Sequence, residues 1–161
     1  MNRLEQVREI VDGILHGLEN PENKRCGFIH LYGVSLTAMF LADRRGIDPE
    51  LPGVAGMLHD LASYETGDPA DHAQRSGERA AGILRELGTF ASAEIDTVQS
   101  AIAHHSDKAG VHGPIDELMK DADVLQHHYY NPGLPPHPKD SERLARLKET
   151  LLRNAFDAQS R

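Results

Sequence analysis

Ten histidines stand in a chain of 161 residues that has no tryptophan. His30 shares one face of a predicted helix with Val34 and Leu41, and His105 shares one with Ile102. An imidazole on an apolar face must find a partner, because burying an unpaired polar group costs free energy. A single histidine of this kind is more often a hydrogen-bonded core residue than a metal ligand. A metal site therefore requires several of them to converge.

Further donors of the same kind lie on other predicted helices. His59 and Asp60 stand together where a short apolar helix ends, and His72 opens the helix that follows. Asp123 lies on a later helix among apolar residues at helical spacing. Imidazole nitrogens and carboxylate oxygens together suit zinc, manganese, iron or nickel. We predict a metal site built from His30, His59, Asp60, His105 and Asp123.

The elements that must position these residues are predicted to be helices. Apolar residues recur at steps of three and four throughout, and no stretch alternates with a period of two, so the fold class is all-α. Pro21 ends the first helix, and the loops fall at about 62–71, 106–114 and 131–138. The chain is predicted to be a single domain, 1–161, with a ligand-bearing core of about 25–131. The predicted helices are 4–18, 24–45, 48–60, 69–87, 92–105, 115–130 and 139–157, the last with Leu144, Leu147, Leu151 and Leu152 on its apolar face.

Composition narrows the function classes. The net charge of -8 argues against a nucleic-acid partner or an anionic membrane surface, because both reward clustered lysine and arginine. A small phosphorylated substrate stays compatible, since a bound divalent ion inverts the local charge. The one cysteine, Cys26, excludes an internal disulfide and a thiolate zinc cluster. With neither an apolar signal core nor a bilayer-spanning stretch recognised, we predict a cytoplasmic protein.

The order of the strongest donors matches a known family. His30, then the His59–Asp60 doublet, then Asp123, each on its own helix, resembles the HD superfamily of metal-dependent phosphohydrolases. The segments around them agree with the family as well: His-Leu-Tyr-Gly-Val at 30–34, Ala-Gly-Met-Leu-His-Asp-Leu at 55–61, and Ala-Asp-Val-Leu at 122–125. The resemblance implies an HD-type helical bundle with a metal site between its helices.

The resemblance also implies roles for the individual residues. His30, His59, Asp60 and Asp123 would hold a first divalent ion, with Asp60 as a candidate bridge and His59 and Asp60 as the catalytic pair. His72 and His105, together with His104, would hold a second ion or contact a substrate phosphate. The cofactor is then one or two divalent ions, drawn from Fe, Mn, Zn, Ni, Co and Mg. His127, one turn after Asp123, and its neighbour His128 are given no role.

The extra histidines indicate a subgroup. The pattern is similar to HD proteins that hold two metals, including bacterial HD-type diadenosine tetraphosphate hydrolases and cyclic-di-GMP phosphodiesterases. The Gly-Tyr-Pro signature of the phosphodiesterases is absent, and Asp107-Lys108-Ala109-Gly110 stands in its place. Lys108 and Arg25 are candidate contacts for substrate phosphate, and Lys120 has similar standing. For Lys108 a solvated loop lysine is an equally good interpretation.

The leading hypothesis is a metal-dependent hydrolase of a small phosphorylated substrate, a phosphate ester or nucleotide. One alternative is an HD-fold di-iron oxygenase, and another is a non-catalytic module that binds a nucleotide or metal. Neither a nucleic acid nor a membrane is expected as a partner, and a homodimer stays open.

Overall fold

Helices account for all the regular structure in the part of the chain that the computed structural model describes, which is the backbone of residues 2–159 and the side chains of residues 2–151. The predicted all-α fold is therefore confirmed. The helices are α1 (Arg3–Gly17), α2 (Pro21–Arg44), α3 (Glu50–Leu58), α4 (Leu61–Thr66), α5 (His72–Leu87), α6 (Ser92–His104), α7 (Pro114–Tyr130) and α8 (Ser141–Gln159), with a 3₁₀ turn at Pro138–Asp140.

Three helix predictions differ from the structure by more than two residues. α5 begins at His72 rather than at 69. α2 begins at Pro21 rather than near 24, because Asn20 caps it and a proline suits the first helical turn. α4 lies in a stretch predicted to be a loop. It has only 6 residues, which is too short for a repeating pattern of apolar residues to be recognised. The helix ends at Gly67, whose φ of 68° is left-handed. The predicted role of Leu152 lies outside the described side chains.

The central helix is α3. Its residues 52–58 are all buried, and it packs against α1, α2, α6 and α7. An α-helix that is apolar on every side belongs in a core. Since His59 and Asp60 directly follow α3, the doublet is delivered into the middle of the molecule, where α2, α5, α6 and α7 surround it.

The contact between α2 and α3 is unusually close at Gly56. A Cβ added there would lie 2.5 Å from the Cα of Ser35, a distance that real Cβ atoms do not reach. The hydroxyl of Ser35 also donates to the carbonyl of Gly53 at 2.8 Å. These contacts hold α3 at a defined depth against α2, and so hold His59 opposite His30.

Gly56→Ala is expected to destabilise the fold by about 2 kcal/mol, because overpacking a tight contact forces backbone shifts. Urea unfolding measures the change. Gly82 in α5 is the matched control, because nothing lies within 4 Å of its added Cβ. Gly82→Ala should leave stability unchanged or raise it by up to about 1 kcal/mol. Equal effects of the two changes would contradict the close contact.

The prediction that no stretch of the chain is long enough to span a bilayer is wrong. α2, with 24 residues, is long and apolar enough to cross a bilayer, judged by length and composition alone. This helix packs against α3 and α7 and buries His30. Core helices of soluble proteins meet the same criterion.

Candidate metal centre

Five segments bring imidazoles and carboxylates to one place. α2 supplies His30, the residues that follow α3 supply His59 and Asp60, and α7 supplies Asp123. His72 is the first residue of α5, and His105 directly follows α6. Most of these side chains are buried, and His59 is completely inaccessible to solvent.

The first set of donors, which we call the inner group, consists of His30, His59, Asp60 and Asp123. The Nε2 atoms of His30 and His59 lie 3.0 Å apart. Asp60 Oδ2 is 3.2 Å from the first and 3.5 Å from the second. Asp123 Oδ1 is 3.7 Å from the first and 3.8 Å from the second. Ligands bound about 2.1 Å from one ion lie roughly 3–4 Å apart, so the distances from the two histidines to each carboxylate are those of ligands around one ion.

The second set, the outer group, consists of Asp60, His72 and His105. Here it is Asp60 Oδ1 that faces the ring nitrogens, at 3.4 Å from His105 Nε2 and 3.6 Å from His72 Nε2. The two oxygens of Asp60 therefore face different groups. With one oxygen toward each group, Asp60 is placed as the predicted bridging carboxylate would be.

The four histidines of the two groups are all oriented by a hydrogen bond from the other ring nitrogen, Nδ1. The acceptors are Gln126 Oε1 for His30 (2.9 Å), the Gly56 carbonyl for His59 (2.9 Å), the Pro69 carbonyl for His72 (3.1 Å) and the Ile102 carbonyl for His105 (2.7 Å). Carbonyl oxygens only accept, so Nδ1 carries a proton and Nε2 points into the cluster. Metal-binding histidines are typically held in this way.

Two carboxylate oxygens in the cluster are buried without a hydrogen-bond donor among the described residues. They are Asp60 Oδ1 and Asp123 Oδ1. Buried polar atoms nearly always have a partner, and an unpaired buried charge is costly. Both oxygens face the Nε2 atoms described above. The residues present therefore fit divalent cations.

Burial and the neighbouring charges set the protonation of the inner group. Burial lowers the pKa of His59 to about 3, so this imidazole is neutral near pH 7, as a ligand must be. Burial favours a protonated Asp60, but the imidazoles of His59, His105 and His30 outweigh it and hold the pKa of Asp60 well below its usual range. The cluster thus pairs a neutral imidazole with an ionised carboxylate.

Comparison with known proteins gives the family. The model of the HD domain matches residues 27–128, more than half of the chain. The chain belongs to the HD domain family. The resemblance seen in the sequence is therefore confirmed.

Two individual proteins similar to this HD domain agree with the family assignment. A Bacillus subtilis (strain 168) protein named "Putative phosphohydrolase YueE" is 28% identical over 142 residues, covering 75% of this chain and 80% of the relative. The crystal structure of a predicted HD superfamily hydrolase from an uncultured Thermotogales bacterium covers 95% of this chain and 91% of its own, with a TM-score of 0.61 and 20% identity. The structural likeness supports the fold. The family and the relatives together support a metal-dependent hydrolase of the HD type and leave its substrate open.

Lys108 lies in the loop between α6 and α7 and reaches the inner group of this HD domain. Its Nζ is 2.6 Å from Asp123 Oδ2, and both side chains are buried. Asp123 therefore presents Oδ1 to the inner group while Lys108 holds Oδ2. The other predicted substrate contact, Arg25, lies on the exposed side of the cluster, where it donates to the hydroxyl of Tyr130 at 3.3 Å.

The structure does not bring His104 into either donor group. Its Nδ1 is 3.2 Å from Asp116 Oδ2, and its ring stacks on that of His112 with centroids 3.9 Å apart. Neighbouring residues on a helix point about 100° apart, so a helix that aims His105 at Asp60 turns His104 away. Among the described residues, no candidate metal group includes His104.

Lys120 is also unavailable to a substrate, contrary to its standing in the sequence analysis. The side chain is fully buried. Its Nζ contacts the Gly110 carbonyl at 2.8 Å, His112 Nδ1 at 2.7 Å and Glu117 Oε1 at 2.8 Å. Lys120 therefore anchors the loop between α6 and α7, which carries Lys108.

Arg143 of α8 extends this anchor. It donates to Asp121 at 2.7 Å, to Glu117 at 2.8 Å and to the backbone carbonyl of Lys108 at 3.3 Å. The last helix thereby takes part in holding the loop in place. We call Lys120, Glu117, Arg143 and Asp121 the anchor network.

Stability is expected to depend on the ionisation of Glu117. Burial raises its pKa, but hydrogen bonds from Lys120 and Arg143 outweigh burial and hold the pKa at about 2, below the usual 4.5. A depressed folded-state pKa contributes stability above about pH 4.5 that is lost as the pH falls toward 2. Glu117→Gln should therefore be less stable than wild type by about 2 kcal/mol at pH 7. This gap should close between pH 4.5 and pH 2 in urea unfolding of the metal-free protein. A gap independent of pH would contradict the assignment.

Two residues beside the inner group, Gln126 and His127, have no role predicted from the sequence. No sequence pattern singles out Gln126, because its position beside the site depends on a hydrogen bond to His30 on a distant helix. His127 could have been recognised from the sequence, because it follows Asp123 by four residues on the same predicted helix. Both line a cleft of about 220 Å³ beside His30 and Asp60, whose other lining residues are Cys26, Ile29, Tyr64 and Tyr130.

Proposed function

We propose that this HD domain protein is a phosphohydrolase that uses two divalent ions to cleave a small phosphorylated substrate, a phosphate ester or nucleotide. The observation that carries the proposal is the placement of Asp60, whose two oxygens face two separate sets of imidazole nitrogens. Paired divalent ions held by such a carboxylate are common in enzymes that act on phosphate esters.

The inner and outer groups would each hold one ion. Ions bound there would lower the pKa of a coordinated water from about 16 toward 7 and neutralise charge on a phosphoryl oxygen. The outer group offers three protein donors, which leaves room for water and substrate oxygen. Asp60 offers one oxygen to each group, and the inner group includes the fully buried His59.

The remaining residues favour an anionic substrate with an aromatic part. Lys108 places a positive charge beside Asp123, and among its described contacts Nζ donates to that carboxylate alone, so further donors remain for a phosphoryl oxygen. Tyr64 and Tyr130 line the adjacent cleft, where their rings can pack against a nucleobase. Arg25 next to Tyr130 supplies a second positive charge at the rim. These features support a nucleotide.

The test begins with the metal content of protein purified without added metal. Phosphate release is then measured from a panel of nucleotides and simple phosphate esters with Mn, Co, Ni, Fe or Mg. We expect close to two ions per chain and release from at least one nucleotide. Full metal occupancy without turnover of any member would count against a phosphohydrolase and favour a binding module. Bound iron with oxygen consumption would favour the oxygenase. A cytoplasmic location and a homodimer stay predictions.

A further inference from the structure

His127 lies one turn after Asp123 on α7 and beside the ring of His30. We propose that His127 is a fifth protein ligand of the ion held by the inner group. The inference rests on the metal-binding part of the proposed function and is independent of the substrate.

The helix places His127 on the same side as Asp123, because residues four apart in an α-helix share a face. His127 Nδ1 lies 3.7 Å from Asp123 Oδ1. That separation equals the one between Asp123 Oδ1 and His30 Nε2, also 3.7 Å. One ligand atom from each of the three residues can be chosen so that all lie within 4.8 Å of one another. The 3.7 Å separation between His127 and Asp123 is that of two ligand atoms around one ion.

The ring of His127 has room to complete the coordination. It stacks on the ring of His30 at an interplanar angle of 9° and a centroid distance of 4.9 Å. More than half of its side chain, 55%, is exposed, so a small rotation meets little resistance. Three of the other four donors are buried and Asp60 is partly exposed, so His127 closes the group from the solvent side.

The oxygen that His127 faces is an independent indication. Asp123 Oδ1 is buried and has no hydrogen-bond donor among the described residues, whereas Oδ2 is held by Lys108. A cation shared by Oδ1 and His127 Nδ1 would satisfy this oxygen. His128, the next residue, has its ring against Tyr129 at 5.0 Å and makes no such approach.

A fifth donor makes the two groups unequal. Five protein ligands would leave the inner ion little room for water, whereas the outer group of Asp60, His72 and His105 has three. Sites closed by protein ligands hold their ions structurally, and open sites bind water and substrate. The inner ion should therefore bind more tightly than the outer one.

Titration of the metal-free protein with Co²⁺ tests the ligand directly, since the visible absorption of Co²⁺ reports its coordination number. His127→Ala should weaken the tighter Co²⁺ site at least about tenfold and change its absorption, because losing a ligand costs no less affinity than losing a residue that only orients one. His128→Ala is the matched control and should leave both unchanged. Circular dichroism and thermal unfolding without metal verify that each variant folds.

The outcomes separate this inference from the proposed function. Wild-type protein that binds no Co²⁺ would overturn both. Two bound ions in wild type, together with an unchanged affinity and spectrum in His127→Ala, would overturn only the fifth ligand. A raised KM with unchanged Co²⁺ binding would also overturn it, since His127 would then contact the substrate.

Discussion

Asp60→Asn is expected to lower the rate of phosphate release by at least about a thousandfold, equivalent to about 4 kcal/mol of transition-state stabilisation. It should also reduce the bound metal from two ions to one or none. The reason is geometric, because Oδ1 faces His72 and His105 while Oδ2 faces His30 and His59. An amide supplies one neutral oxygen and a nitrogen that cannot ligate.

Metal analysis and steady-state kinetics on the same preparation make the measurement. Asp43→Asn is the control, because it removes the same charge from an exposed position on α2. It should leave both metal content and turnover at the wild-type level. Two tightly bound ions in Asp60→Asn would show that this carboxylate is no bridge. If Asp60→Asn loses activity but retains one ion, the group that still holds the ion depends less on Asp60.

Lys120→Met is expected to destabilise the fold by about 3 kcal/mol, because removing the buried ammonium group leaves the partly buried Glu117 and two further acceptors uncompensated. Lys120 is fully buried, and its ammonium group contacts Gly110, His112 and Glu117. Methionine fills the volume but donates nothing. Glu117 would then keep only Arg143 as a charged partner among its described contacts.

Urea unfolding of the metal-free protein gives the free energy directly. Lys139→Met changes the same residue type at an exposed position and should shift stability by less than about 0.5 kcal/mol. The loop that carries Lys108 should also lose protection from hydrogen exchange in Lys120→Met. Unchanged stability would mean that the anchor network contributes little to the fold.

Much of this protein could be predicted from its sequence for a simple physical reason. The helix period is local, so the spacing of apolar residues indicated the all-α fold. It also placed His30 and Asp123 among apolar residues of their helices, and His59 and Asp60 at the end of a short apolar helix. The order of those donors identified the family that the comparison confirmed. The same local rule could have separated His105 from His104, because neighbouring residues on a helix point about 100° apart.

Other features were decided only by tertiary structure, because they depend on contacts between distant segments. Asp60 divides its oxygens between two groups, since α5 and α6 approach it from one side and α2 from the other. Lys108 and Lys120 have the same side-chain chemistry, and both were candidate contacts for substrate phosphate. Packing placed the first against Asp123 and enclosed the second away from the cleft, because only the fold determines which buried charge each lysine meets.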